Sequence, residues 1–240
     1  MHYFINVNTH NDKMNIWVES GDKKITSRIK NRFTLSRNSP GFVLVYGGDG
    51  TLLIAERKFP RVPKIFIHKK PPNCHNRKMC YSVKHLSLIL DKLSSGDFKI
   101  REKPKAEALF RNKKLKAMNE IQIHNKIPYK ALRFSLSVGN KKLGRFMGDG
   151  LIAATPYGST AYFSVIGGKP FRNGIKIGFN NIVPTRKPVA LGKKTAKVKI
   201  IREQAWLISD NDPRIVSLKP GDVVSIRESD EKMRFVELRL

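Results

Sequence analysis

Two aspartates stand among glycines in stretches otherwise rich in bases, and they are the first candidates for chemistry. The first lies in Gly47-Gly48-Asp49-Gly50-Thr51. Glycines let a backbone come close to phosphate, and a following helix offers free N–H groups. No Gly-Lys-Ser/Thr follows, so this is not a Walker A loop, and it is not Gly-x-Gly-x-x-Gly either. A loop that only cradled phosphate would avoid a carboxylate. Asp49 makes sense as a base taking a proton from a hydroxyl that attacks a phosphoryl group. It also makes sense as a ligand for a metal ion, or as a turn aspartate bonded to its own backbone.

The second constellation is Gly148-Asp149-Gly150, then the apolar Leu151-Ile152-Ala153-Ala154, then Thr155-Pro156-Tyr157-Gly158-Ser159-Thr160-Ala161-Tyr162. Pro156 and Gly158 set a turn, and Ser159 or Thr160 can cap a helix. Hydroxyls, free amides and an aromatic ring meet within a few residues. That set suits a ribose and a flat base, or simply a capped helix. Asn119-Glu120 follows the apolar end of Leu115-Lys116-Ala117-Met118 and reads first as solvent-facing. Cys74, His75, Cys80 and His85 lie close together, but Cys-x₅-Cys is no standard zinc spacing, so plain thiols are expected. Trp17 and Trp206 read as core, and Lys193, Lys194, Lys197 and Lys199 as a solvated strand face.

The elements that must position these residues follow an α/β rhythm at first. Tyr3–Val7 reads as a strand, 23–32 as a helix and Phe42–Tyr46 as a buried strand. A helix is expected over Thr51–Lys58, a strand over Ile65–Ile67, and a helix carrying Val83, Leu86, Ile89, Leu90 and Leu93, stopped at Ser94-Ser95-Gly96. Lys69-Lys70-Pro71-Pro72 reads as an exposed loop. Beyond Phe98 strands dominate, at 115–124, 132–138, 151–154, 198–201, 205–208 and 223–227, with a short helix opening at Ser159-Thr160. The expected fold class is an α/β N-terminal domain, 1–95, followed by a β-rich C-terminal domain, 96–240. The last ~15 residues are free to pack back on the first domain.

Composition narrows the partners. The 240 residues carry 47 Lys plus Arg against 19 Asp plus Glu, a net +28. From Lys23 to Leu90 there are 15 bases and two acids, Asp49 and Glu56; from Ile121 to Arg202 there are 16 bases and one acid, Asp149. These two stretches, at +13 and +15, account for the whole excess, so an anionic partner is expected. Asp49 and Asp149 are either paired with bases or do chemistry. A hydrophobic content of 40% argues against general disorder. No apolar run of transmembrane length occurs, the first residues lack a signal-peptide pattern, and two cysteines make no disulfide scaffold, so a cytoplasmic protein without membrane partners is expected.

Taken in order, Gly47–Thr51, Asn119-Glu120 and Asp149–Tyr162 resemble the NAD kinase family, with recognisable similarity over roughly residues 40–170. The first motif is shared with phosphofructokinases and with diacylglycerol and sphingosine kinases; the run from Gly148 to Tyr162 is far more specific. Ser209-Asp210-Asn211 and Leu218–Asp222 resemble the family's C-terminal segment more loosely. The resemblance implies an active site between the two domains. There Asp49 would be the general base on the 2′-hydroxyl of the adenosine ribose of NAD. Gly47, Gly48, Gly50 and Thr51 would hold phosphates, and Asn119, Glu120, Asp149, Thr160, Ala161, Tyr162 and Ser164 would hold NAD. ATP or polyphosphate would be the donor, with Mg²⁺ on the ATP rather than on a dedicated protein site. A homo-oligomer is implied as well.

Three places depart from the family pattern. Ile54 stands where a base is common, with Arg57 a turn further on; the loop after Ile67 has no glycine; and Asp210-Asn211 replaces the usual Asp-Gly. The alternatives are a kinase of a lipid, nucleoside or sugar hydroxyl, and a non-enzymatic nucleic-acid binder or degenerate kinase scaffold. The latter is supported by the charge, which also allows non-specific nucleic-acid binding, but no nucleic-acid motif accompanies it.

Overall fold

The computed structural model describes residues 14–70 and 79–240. In chain order the elements are β1 (Asn15–Glu19), α1 (Lys23–Lys30), β2 (Thr34–Leu35), β3 (Phe42–Gly47), α2 (Asp49–Lys58), β4 (Lys64–His68), β5 (Cys80–Tyr81), α3 (Leu86–Ser94), β6 (Lys99–Phe110), β7 (Lys113–Ala117), β8 (Glu120–Asn125), β9 (Leu132–Val138), β10 (Lys141–Gly148), β11 (Gly150–Ala154), α4 (Tyr162–Val165), β12 (Lys176–Asn180), β13 (Val189–Ala190), β14 (Ala196–Arg202), β15 (Ala205–Ser209), β16 (Val216–Leu218) and β17 (Val223–Glu237). Short 3-10 turns cover Val83–His85 and Gly158–Thr160.

Contacts divide the chain into two units. The first comprises Met1–Ala55, Val62–Arg101 and Phe235–Leu240; the second, Glu56–Arg61 and Glu102–Arg234. The boundary therefore cuts α2, β6 and β17.

The first unit is a parallel sheet in which β3 lies between β1 and β4, β2 extends it beyond β1, and β5 and the end of β17 pair with β4. β3 and β4 are apolar on both faces, as a sheet covered by helices requires. α1 is capped by Asp22, whose carboxylate accepts the N–H groups of Lys24 and Ile25, and it buries Ile25 and Ile29. α3 buries Leu86, Ile89, Leu90 and Leu93 at helical spacing. The Tyr81 hydroxyl donates to the Val236 carbonyl (2.9 Å) and accepts the Leu238 N–H (2.7 Å), fastening the C-terminal residues here.

The second unit is two antiparallel sheets sharing one apolar core. One runs β10-β9-β14-β17, and the other β13-β12-β11-β8-β15-β16. Phe134, Leu136 and Val198 from the first meet Ile121, Leu151 and Ile177 from the second in the same cluster. The strands alternate core and solvent positions, as Lys197 and Lys199 do between buried Ala196, Val198 and Ile200. β6 and β7 form a hairpin.

The α/β-then-β order holds, with corrections in detail. The strand expected over 115–124 is two, because the chain breaks at Met118-Asn119. The helix expected from Thr51 already begins at Asp49, and the strand at 223–227 continues to Glu237. The helix expected from Val83 is a 3-10 turn and then α3. β6 and β10 were hidden by runs of charge, and β12 and β13 by glycines and short length. Trp17 and Trp206 are half-buried rather than core, each beneath a cation: Arg37 at 5.6 Å and Lys126 at 4.6 Å. Cys80 is disulfide-bonded, not the plain thiol expected. The strand at 3–7, part of the 69–72 loop, and the pair Cys74 and His75 lie outside the described residues.

Candidate active site

In the first unit, β3 ends at Gly47 and α2 begins two residues later. The N–H groups of Thr51 and Leu52 both donate to the Gly48 carbonyl, at 3.0 and 3.2 Å. The turn is so tight that a Cβ on Gly47 would sit 2.3 Å from the Thr51 hydroxyl oxygen, so only glycine fits. A Cβ on Gly48 would meet nothing within 4 Å. Asp49 opens the helix, is exposed, and its carboxylate makes no hydrogen bond or ion pair with the described residues. The turn reading is thereby corrected, and so is pairing with a base. What remains is an open carboxylate at the positive end of a helix. Among the described residues no three His, Cys, Asp or Glu side chains are grouped to hold a metal ion.

In the second unit, two segments converge on the break between β7 and β8. The Thr155 hydroxyl donates to the Met118 carbonyl at 2.6 Å and accepts the Gly158 N–H at 3.1 Å, while the Thr155 N–H donates to the Asn119 carbonyl at 2.9 Å. Gly158 approaches so closely that a Cβ there would lie 2.2 Å from the Asn119 carbonyl oxygen. From the other side Asp210 accepts the N–H groups of Met118 (2.7 Å), Asn119 (2.8 Å) and Glu120 (3.1 Å). Asp210 takes a left-handed φ of 47° to do so. It carries more of the site than its loose sequence match signalled.

Glu120 is buried, against its expected solvent exposure. Burial pushes its pKa up to about 7, with the nearby Asp210 charge adding to the rise and the Gln122 hydrogen bond opposing it. Burial likewise pushes Asp210 up to about 6, against the pull of its three N–H bonds and of Lys105. Glu120 Oε2 and Asn119 Oδ1 are buried without a hydrogen-bond partner among the described residues. Orphaned acceptors at one turn are what a ligand's hydroxyl or amide donors would satisfy.

Thr160 and Ala161 lie at the end of the 3-10 turn, and Tyr162 packs on the cluster of Ile152, Ala154 and Phe163. The Ser164 hydroxyl is occupied locally, on the carbonyls of Ala161 (2.7 Å) and Thr160 (3.2 Å). Asp149 stands apart. Ala154 pairs with Glu120 across the strands, whereas Asp149 precedes Gly150 at the other end of β11, about 17 Å along the strand. Its carboxylate accepts the side-chain amides of Asn181 (2.8 Å) and Asn125 (3.4 Å), so its partners are amides rather than bases.

The family described as "ATP-NAD kinase C-terminal domain" matches residues 118–238, from the β7–β8 break through the end of β17. An NAD kinase of Clostridium botulinum is 29% identical over 221 residues, covering 84% of this chain and 75% of that protein. An NAD kinase of Thermoplasma volcanium is 33% identical over 155 residues, covering 62% and 57%. Yeast NADH kinase, solved with NADH, shares the fold at a TM-score of 0.80 and 16% identity over 96% of this chain and 85% of that one. An Archaeoglobus fulgidus NAD kinase solved with ATP gives 0.74 and 20%, over 92% of each chain. With residues 118–238, half of the chain, matched by the family's C-terminal domain, this chain belongs to the NAD kinase family.

Proposed function

We propose that the protein phosphorylates the 2′-hydroxyl of the adenosine ribose of NAD, yielding NADP. Asp49 accepts the hydroxyl proton as the oxygen attacks the terminal phosphoryl group of ATP, and ADP leaves. Gly47, Gly48, Gly50 and Thr51 lie against phosphates. Asn119 and Glu120 accept hydrogen bonds from the dinucleotide, with Thr160, Ala161 and Tyr162 beside them. The carrying observation is the pair of buried acceptors without partners among the described residues, Asn119 Oδ1 and Glu120 Oε2, on a turn held from both sides. The free carboxylate of Asp49 on an open helix start supports its role as base. Mg²⁺ arrives with the nucleotide as part of the substrate and offsets charge on the phosphates.

Asp149 and Ser164 belong to this reading less directly, since Asp149 lies at the other end of β11 and Ser164 is bonded locally. Inorganic polyphosphate as a second donor, a homo-oligomer and a cytoplasmic setting complete the proposal. No described helix is long and apolar enough to cross a membrane. The test is NADP formation from NAD with ATP and, separately, with polyphosphate. NADP production with ATP is expected; phosphorylation of a lipid, nucleoside or sugar in its place overturns the reading.

A further inference from the structure

The outer face of the sheet β10-β9-β14-β17 carries a charge pattern that phosphotransfer does not use. β9, β10 and β14 contain Arg133, Lys141, Lys142, Arg145, Lys197, Lys199 and Arg202, and no Asp or Glu. The register lays them in rows. Lys142, Ser137, Lys197 and Ser225 are cross-strand neighbours in one row; Arg145, Ser135, Lys199 and Val223 form the next. With strands about 4.8 Å apart, the two cations flanking each serine stand about 10 Å from one another, and Lys197 and Lys199 about 7 Å apart along the strand. In the third row Arg133 faces Arg202, a like-charge pair that costs stability.

Lys142, Arg145, Lys197, Lys199 and Arg133 are exposed and make no ion pair among the described residues. Only Arg202, at the edge, meets an acid, its neighbour Glu203 at 3.4 Å. Ser135 and Ser137 lie half-buried between the cations, with hydroxyls that bond no described residue. Cations spaced by hydroxyls match a backbone of regularly spaced phosphates, since lysine, arginine and serine are the usual phosphate contacts. The aromatic side chains of these strands, Phe134 and Phe146, are buried in the core, so the face has no platform for stacking unpaired bases. A second copy of the same face would bring like charges together.

We propose that this sheet face binds double-stranded nucleic acid, without sequence preference, through its phosphates. The test uses a fluorescent 20-base-pair DNA duplex and anisotropy titrations between about 50 and 200 mM salt. Removing four cations in Lys142→Gln/Arg145→Gln/Lys197→Gln/Lys199→Gln should flatten the slope of log K against log salt by roughly 3–4 and weaken binding at least about tenfold at 100 mM salt. The pair Lys197→Gln/Lys199→Gln should show about half that change in slope. An equal charge removal on α1, Lys23→Gln/Lys24→Gln/Arg28→Gln/Lys30→Gln, controls for net charge alone and should stay within about threefold of the parent at this salt, since α1 is not part of the proposed face and exposed charges outside the contact are largely screened. Circular dichroism checks that each variant keeps its fold. Equal losses in the sheet and α1 variants would overturn the proposal. Tighter binding of a single strand, or of phosphatidylserine vesicles, than of the duplex would overturn it too.

Discussion

Arg57 donates a 3.0 Å hydrogen bond to the side-chain oxygen of Asn211, joining the last turn of α2 to the turn that carries Asp210. These are two of the positions at which the sequence departs from the family pattern: a base one turn later than usual, and asparagine in place of glycine. The structure makes one contact of them. Because the bond is exposed, its coupling should be modest, about 0.5–1 kcal/mol in a cycle of Arg57→Ala, Asn211→Gly and the double variant. Thermal unfolding supplies the energies; strictly additive losses would refute the coupling.

Stability should fall as pH rises toward neutrality. Glu120 and Asp210 are both raised on folding, to about 7 and about 6, by burial. An acid raised in the folded state binds more protons there than in the unfolded chain. Its contribution is therefore full below the unfolded value near 4 and is lost by about 7. Asp210 and Gln122 face Glu120, and Lys105 acts on Asp210. Glu120→Gln should flatten the decline in urea midpoint between pH 5 and pH 8, gaining up to about 3 kcal/mol at the alkaline end. An identical decline in both proteins would contradict the assignment.

Gly158→Ala should displace the 155–158 turn. The added carbon would lie 2.2 Å from the Asn119 carbonyl oxygen, so the 155–158 turn must move away from Asn119-Glu120. A loss of about 1–3 kcal/mol is expected, together with a higher KM for NAD. Isothermal titration with NAD checks the second effect, and unchanged affinity would show that the turn does not shape the binding site.

Lys105 is the keystone of a buried ion cluster. Its ammonium lies 2.7 Å from both Glu56 and Glu231, and Glu231 is also 2.7 Å from Lys116. Burial would raise Glu231, but hydrogen bonds from Lys105 and Lys116 outweigh it and hold its pKa near about 2. Lys105→Met removes the ammonium that Glu56 and Glu231 share and should cost about 3–5 kcal/mol, while adding Glu56→Leu should recover part of it. Denaturant melts distinguish this from a surface pair, whose loss would cost less than about 1 kcal/mol.

Much of this was legible in the residues, for particular reasons. The buried strand at 42–46 is a short apolar run between turn residues, and the glycine loop follows it directly. The strand over 132–138 alternates cleanly, so its bounds could be read. Glu120 misled because two adjacent polar residues look solvated locally. Its burial comes from Asp210, ninety residues away in sequence, and from Thr155, both of which hold the chain from outside the strand. β6 misled because Lys105 and Glu107 are buried charges whose partners, Glu56, Glu231 and Arg227, lie on other elements. Local pattern cannot report a long-range ion pair.

In the proposed reaction Asp49 is the base for phosphorylation of the NAD 2′-hydroxyl. The most direct measurement is NADP formation by Asp49→Asn at saturating NAD and ATP, with NAD affinity measured in parallel. A fall in kcat of about 10²–10⁴ with NAD binding retained is predicted. Turnover within about tenfold of the parent would contradict it.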